Sequence, residues 1–169
     1  MTIYEFTIPQ LIKMLRNLDG WLTKAAAHAD HKKFKADDLL TARLAPDQFP
    51  LGRQVQAACD NAKFLAGRLS GKEFPTHPDG ETSVAQLHER IASVITYLET
   101  FKPEDFNGAE ERHVSLPWMQ GKWFRGEDYM NQFVLPNFYF HITHAYAILR
   151  HNGVDLGKRD YMGNIPTHG

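Results

Sequence analysis

Apolar residues recur three and four apart along most of this chain, the spacing that lays one continuous stripe along an α-helix. Ile8, Leu11, Leu15, Leu18, Leu22, Ala25 and Ala29 predict a first helix over residues 7–30, with Pro9 tolerated in its first turn. Leu51, Val55, Ala58, Ala62, Leu65 and Leu69 predict a second over 50–70, opened by Pro50 and closed at Gly71. Val84, Leu87, Ile91, Val94, Ile95, Leu98 and Phe101 form the cleanest stripe and predict a third over 83–101, started by a Ser83/Gln86 capping box and stopped before Pro103. A fourth is predicted over 127–152, where Arg150 and His151 suit the negative helix end and Asn152-Gly153 supplies a left-handed stop. Pro136 lies inside that helix and removes the hydrogen bond to the Gln132 carbonyl, which predicts a kink about one turn before His141.

Between these stripes the pattern breaks. Residues 31–50 carry two prolines and only a short amphipathic fragment around Asp38–Leu44, so they read as a long connection. From Phe106 to Gly126 the segments RHVSLPW and KWFRG are short, aromatic or β-branched, and predict a small hairpin or extended insert. Its Trp118, Trp123 and Phe124 either cover one end of the core or form a lid. Four long helices, one long crossover and a small insert describe an all-α four-helix bundle, with residues 1–169 as a single domain.

Composition narrows the function. Lys and Arg number 19 against 20 Asp and Glu, and no basic block of the kind a phosphate backbone requires is present, which argues against a nucleic-acid partner. The first residues lack a basic region followed by an apolar run, and no window approaches about eighteen uninterrupted apolar residues, so a cytoplasmic protein without a membrane partner is expected. Cys59 is the only cysteine, which rules out an intramolecular disulfide and cysteine-rich zinc sites.

The chemistry-bearing residues gather around His141 and His144, which stand three apart on one helical face where a single ion could reach both. With Asp60 they would form a two-histidine, one-carboxylate set suited to Fe(II), Mn(II) or Zn(II). At about 100° per residue, Asp60 falls roughly 150° from the centre of the second helix's apolar stripe, pointing away from the interior; Cys59 lies closer to it. The other reading puts His141 in an inward stripe with Val134, Phe138, Ala145 and Ile148, hydrogen-bonded to a neighbour such as Gln54 or Tyr97. Cys59 then reads as a small core residue, Asp60 and Lys63 as a surface ion pair, and Lys158–Asp160 as a tie holding the tail. The remaining histidines, His28, His31, His77, His88, His113, His151 and His168, show no metal-ligand spacing.

The segments FPLGRQVQAACDNAK, LPNFYFH, AYAILRHNGV and GKRDYMG resemble those of an uncharacterised branch of the DinB/YfiT-like superfamily, over nearly the whole chain. That resemblance implies a four-helix bundle that often dimerises and often holds a divalent metal through one histidine of helix 2 and an H-x-x-x-H pair of helix 4. Some relatives use the metal to activate a thiol or water in transfer and isomerisation reactions. His141 matches one helix 4 position, but the residue four further on is Ala145, and helix 2 offers only Gln56, Cys59 and Asp60 in place of a histidine. The expectation is a metal-free or metal-degenerate, dimeric, small-molecule-binding protein without a cofactor, its ligand met by His141, Gln56, Cys59, Trp118, Trp123 and Tyr146. The alternative is a hydrolase or transferase using zinc, nickel, iron or manganese held by His141, His144 and Asp60. Phe64, on the far side of helix 2 from its stripe, suggests a second buried face against the other subunit of a homodimer.

Overall fold

The computed structural model describes residues 2–167 and 169. Helix α1 spans Ile3–Lys32 and starts before its apolar stripe does, because its start is set by a polar cap. The Thr2 hydroxyl accepts from the Glu5 amide while the Glu5 carboxylate accepts from the Thr2 amide at 2.8 Å, satisfying two otherwise orphaned donors. Pro9 therefore sits inside the helix, beyond the first turn.

Helix α2 spans Leu51–Ser70, with Pro50 just outside it and Gly71 closing it at φ 76°. Helix α3 spans Val84–Glu99. Only half of the expected capping box forms there: Ser83 accepts from the Gln86 amide, but the Gln86 side chain accepts from Thr82, and Asp37 of the first connection accepts from the Val84 amide at 2.7 Å.

The last long helix is not one uninterrupted α-helix. A single α-turn at Gly126–Asp128 runs into a π-helical turn at Tyr129–Val134, and helix α4 proper spans Leu135–His151. Pro136 thus follows a widened turn that accommodates its missing amide, where the sequence predicts a kink. A short helix α5, Lys158–Met162, folds back onto α1. There the Trp21 indole donates to the Asp160 carbonyl at 3.1 Å and Lys24 pairs with the Asp160 carboxylate at 2.6 Å, so the tail is tied down as expected, through Asp160.

Helices α1 and α2 each pack mainly on α3 and α4 and touch each other more lightly, enclosing one core that includes Trp21, Leu65, Ile91, Phe138 and Ile142. The insert before α4 carries a two-strand antiparallel hairpin, β1 His113–Val114 with β2 Phe124–Arg125. Val114, Leu116 and Met119 are buried, so the insert covers one end of the core while Trp118 stays largely exposed. Among the described residues no helix is long and apolar enough to cross a membrane.

Candidate functional site

The seam between α2 and α4 is not fully closed. Along α2, Arg53, Ala57, Asn61, Phe64 and Arg68 recur three and four apart, and along the facing strip Phe133, Asn137 and His141 recur four apart, so two helical rows line one groove. The small Ala57 leaves space, Phe49 closes one end, and Leu116 and Trp118 of the insert border the other. The cleft encloses about 280 Å³.

His141 is the best-defined polar group on it, only 7% exposed. Its Nδ1 lies 2.7 Å from Oε1 of Gln54, a fully buried residue whose Nε2 donates to the Phe49 carbonyl at 3.0 Å. A carbonyl can only accept, so the Gln54 nitrogen faces Phe49 and its oxygen is left to accept from His141. This chain places the imidazole proton on Nδ1 and the lone pair on Nε2. Among the described residues Nε2 has no hydrogen-bond partner. Burial, helped by the nearby charges of His144 and Arg53, pushes the His141 pKa down from 6.5 to about 4, so the ring is neutral at neutral pH. Phe49 stacks on it with ring centres 6.2 Å apart.

Of the other residues expected at a site, Trp118 and Asp60 reach this cleft and the rest lie elsewhere. Asp60 borders it, but its Oδ1 is held by Lys63 at 2.8 Å and by Arg90 of α3 at 2.7 Å. The expected surface ion pair is in fact an inner one, since Lys63 is 3% exposed and also donates to Nδ1 of His77 at 3.1 Å. Arg90, equally buried, pairs further with Asp79 and with Glu81 at 2.8 Å, and Arg53 pairs with Asp79. Gln56 belongs to this network, donating to Glu81 at 2.8 Å. Cys59 is fully buried in the core, and burial pushes its thiol up to about 12. Trp123 stacks on His113 at the outer face of the hairpin, and Tyr146 packs between Trp21 and Tyr161 beside the tail.

His144 does not join His141. Its Nδ1 donates to the Phe140 carbonyl one turn back at 2.7 Å and its ring packs on Phe140. Among the described residues no group of three His, Cys, Asp or Glu side chains converges as a metal would require, so the set His141, His144 and Asp60 is not assembled. His168 lies outside the described residues. Phe64, expected to face another subunit, packs on Phe74 of its own chain at 4.9 Å, under the guanidinium of Arg68.

Sequence reasoning missed Arg53, Arg68, Phe133 and Asn137 as cleft residues. The four-residue repeat ending at His141 was the available signal. It also missed the ionic network, although Arg90 sits among Leu87, Ile91 and Val94 in the α3 stripe, where a charged residue needs partners. The π-helical turn does part of the positioning: it stacks Tyr129 on Phe133, beside Phe124 of the hairpin, and aims the buried Tyr129 hydroxyl at Arg68, 2.9 Å away.

The model of a domain of unknown function, DUF1993, matches residues 3–162. The crystal structure of a DinB family member protein from Shewanella denitrificans is similar over 99% of this chain and 95% of its own, at 50% identity and a TM-score of 0.96. No curated protein matches the chain.

Proposed function

The chain belongs to the DUF1993 family, a branch of the DinB-like superfamily, and from that premise we propose a metal-free small-molecule-binding protein with a DinB-like four-helix-bundle layout, its ligand seated between α2 and α4. One observation carries this reading: His141 is buried, neutral and held by Gln54 with its Nε2 lone pair free at a cleft, a preset acceptor for a ligand N–H or O–H. The aromatic rings of Phe49, Phe133 and Trp118 offer the apolar surface that such sites use. The donor set does not fit the metal of the superfamily. The Oδ1 atom of Asp60 is committed to two cations, His144 is bonded to its own helix, and Cys59 is sealed in the core. The homodimer rests on the superfamily resemblance, since Phe64 packs on Phe74 of its own chain and lines the cleft.

A fragment screen by nitrogen-15 NMR tests the reading, observing the His141 ring and the Trp118 indole. Ligands should move both together, with the Nε2 resonance shifting as a hydrogen-bond acceptor does. Ligands that cluster at another face would overturn it. So would stoichiometric zinc, nickel, iron or manganese in protein purified without an affinity tag and lost on His141→Ala, an outcome that revives the hydrolase or transferase alternative.

A further inference from the structure

The charges around the cleft do not cancel at one end. Arg53, Lys63 and Arg90 are three cations set against three carboxylates, Asp60, Asp79 and Glu81, in one connected network. Arg68 stands outside it. Its guanidinium is ringed by Phe64 at 4.5 Å, Tyr129 at 5.8 Å and Phe74 at 5.9 Å, and it donates to the neutral Tyr129 hydroxyl. Among the described residues no carboxylate lies within salt-bridge distance of it, yet it is partly buried and lines the cleft. A partly desolvated cation packed among three rings, without a counter-charge, is a site prepared for an anion.

The opposite end offers the Nε2 acceptor of His141. The two helices run antiparallel here, because Arg68 meets Tyr129 while Gln54 meets His141. Gln54 and Arg68 stand about 21 Å apart along the helix axis at 1.5 Å per residue, and the long Arg68 side chain leans back toward Gln54, which leaves on the order of 15 Å between its guanidinium and the His141 ring. Between them the walls are Phe64, Phe133, Ala57 and Asn137. One guanidinium balances one negative charge.

Resting on the binding role proposed above, we infer that the cleft takes an elongated aromatic monocarboxylate, its carboxylate on Arg68 and a hydroxyl or N–H at its far end on His141.

The probes are 4-hydroxycinnamate, its methyl ester and cinnamate, titrated against the intact protein by calorimetry and Trp118 fluorescence. The acid should bind about tenfold or more tightly than the ester, as a charge-assisted bond is lost, and several-fold more tightly than cinnamate, which lacks the donor. Arg68→Gln, which keeps a donor for Tyr129, should erase the acid preference and retain the hydroxyl preference. Arg68→Lys should keep part of the acid preference, and circular dichroism on both variants separates a lost contact from a lost fold. Equal affinity for acid and ester in the wild-type protein, an acid preference that survives Arg68→Gln, or no binding by any of the three at millimolar concentration overturns the inference. The fragment screen reads the cleft independently: hits there that lack a carboxylate preference would sink this ligand class and leave the binding role standing.

Discussion

Replacing His141 by Phe keeps a ring of similar size but removes the only donor among the described residues to the fully buried Gln54 Oε1. Gln54 cannot turn its amide to compensate, because its nitrogen is held by the Phe49 carbonyl. A stranded buried acceptor costs about 1–3 kcal/mol, so His141→Phe should destabilise by that amount at pH 7.5, and His141→Ala by somewhat more because a small cavity is added. Gln54→Leu should cost a similar amount, since it strands both the His141 Nδ1–H and the Phe49 carbonyl. The double variant Gln54→Leu/His141→Phe removes both ends of the bond and should recover much of the loss, giving a coupling of about 1–3 kcal/mol in a double-mutant cycle. Urea unfolding with an unchanged denaturant slope measures all four proteins. A His141→Phe variant within about 0.5 kcal/mol of wild type, or strictly additive single changes, would refute the reasoning.

The same residue sets a pH dependence. Its folded pKa of about 4 lies below the ordinary 6.5, so as pH falls the unfolded chain takes up the proton first. Stability is therefore complete above about pH 6.5 and is lost progressively toward pH 4, by no more than roughly 3 kcal/mol from this group. His77, whose pKa is lowered by burial and by Lys63, adds loss on the acid side of its own ordinary range. His141→Phe should flatten the stability profile between about pH 6.5 and 5 without abolishing its slope.

Arg90→Met should be the most damaging change in the ionic network, destabilising by about 3–5 kcal/mol, because it leaves Glu81 without its buried counter-charge and Asp60 with Lys63 alone; urea unfolding that places it near wild type would remove the network from any account of stability. Cys59, fully buried with its thiol pushed up to about 12, should resist a thiol reagent at pH 8 until the protein opens, so labelling at the rate of free cysteine would contradict its place in the core. Gly126→Ala would drive a Cβ into the Ala109 carbonyl, a backbone atom that cannot rotate away, and should lower stability by about 2 kcal/mol or more in thermal unfolding.

What the sequence determined by itself was local. Each long helix is an apolar stripe with a three-and-four period, and burying that stripe needs only some partner, so all four helices were legible along with the long connection and the hairpin insert. The structural match to a DinB family member agrees with the motifs that pointed there. His141 was picked out by its place on a helical face, and Gln54 was one of the two partners weighed for it. Ends and interruptions were less legible. The early start of α1 depends on the Thr2–Glu5 cap and not on the stripe, and Pro136 announces a missing hydrogen bond without saying that a π-helical turn will absorb it. What only the tertiary structure decided was which faces meet. Gln56, Cys59, Trp123 and Tyr146 were expected together, yet they point into four different surroundings. A helical wheel gives direction around one axis, not the identity of the neighbour in that direction. Asp60 does turn away from the main stripe of α2, as its angle indicates, but because α2 packs on α3 as well as on α4, that direction leads to Arg90 of α3, not to solvent.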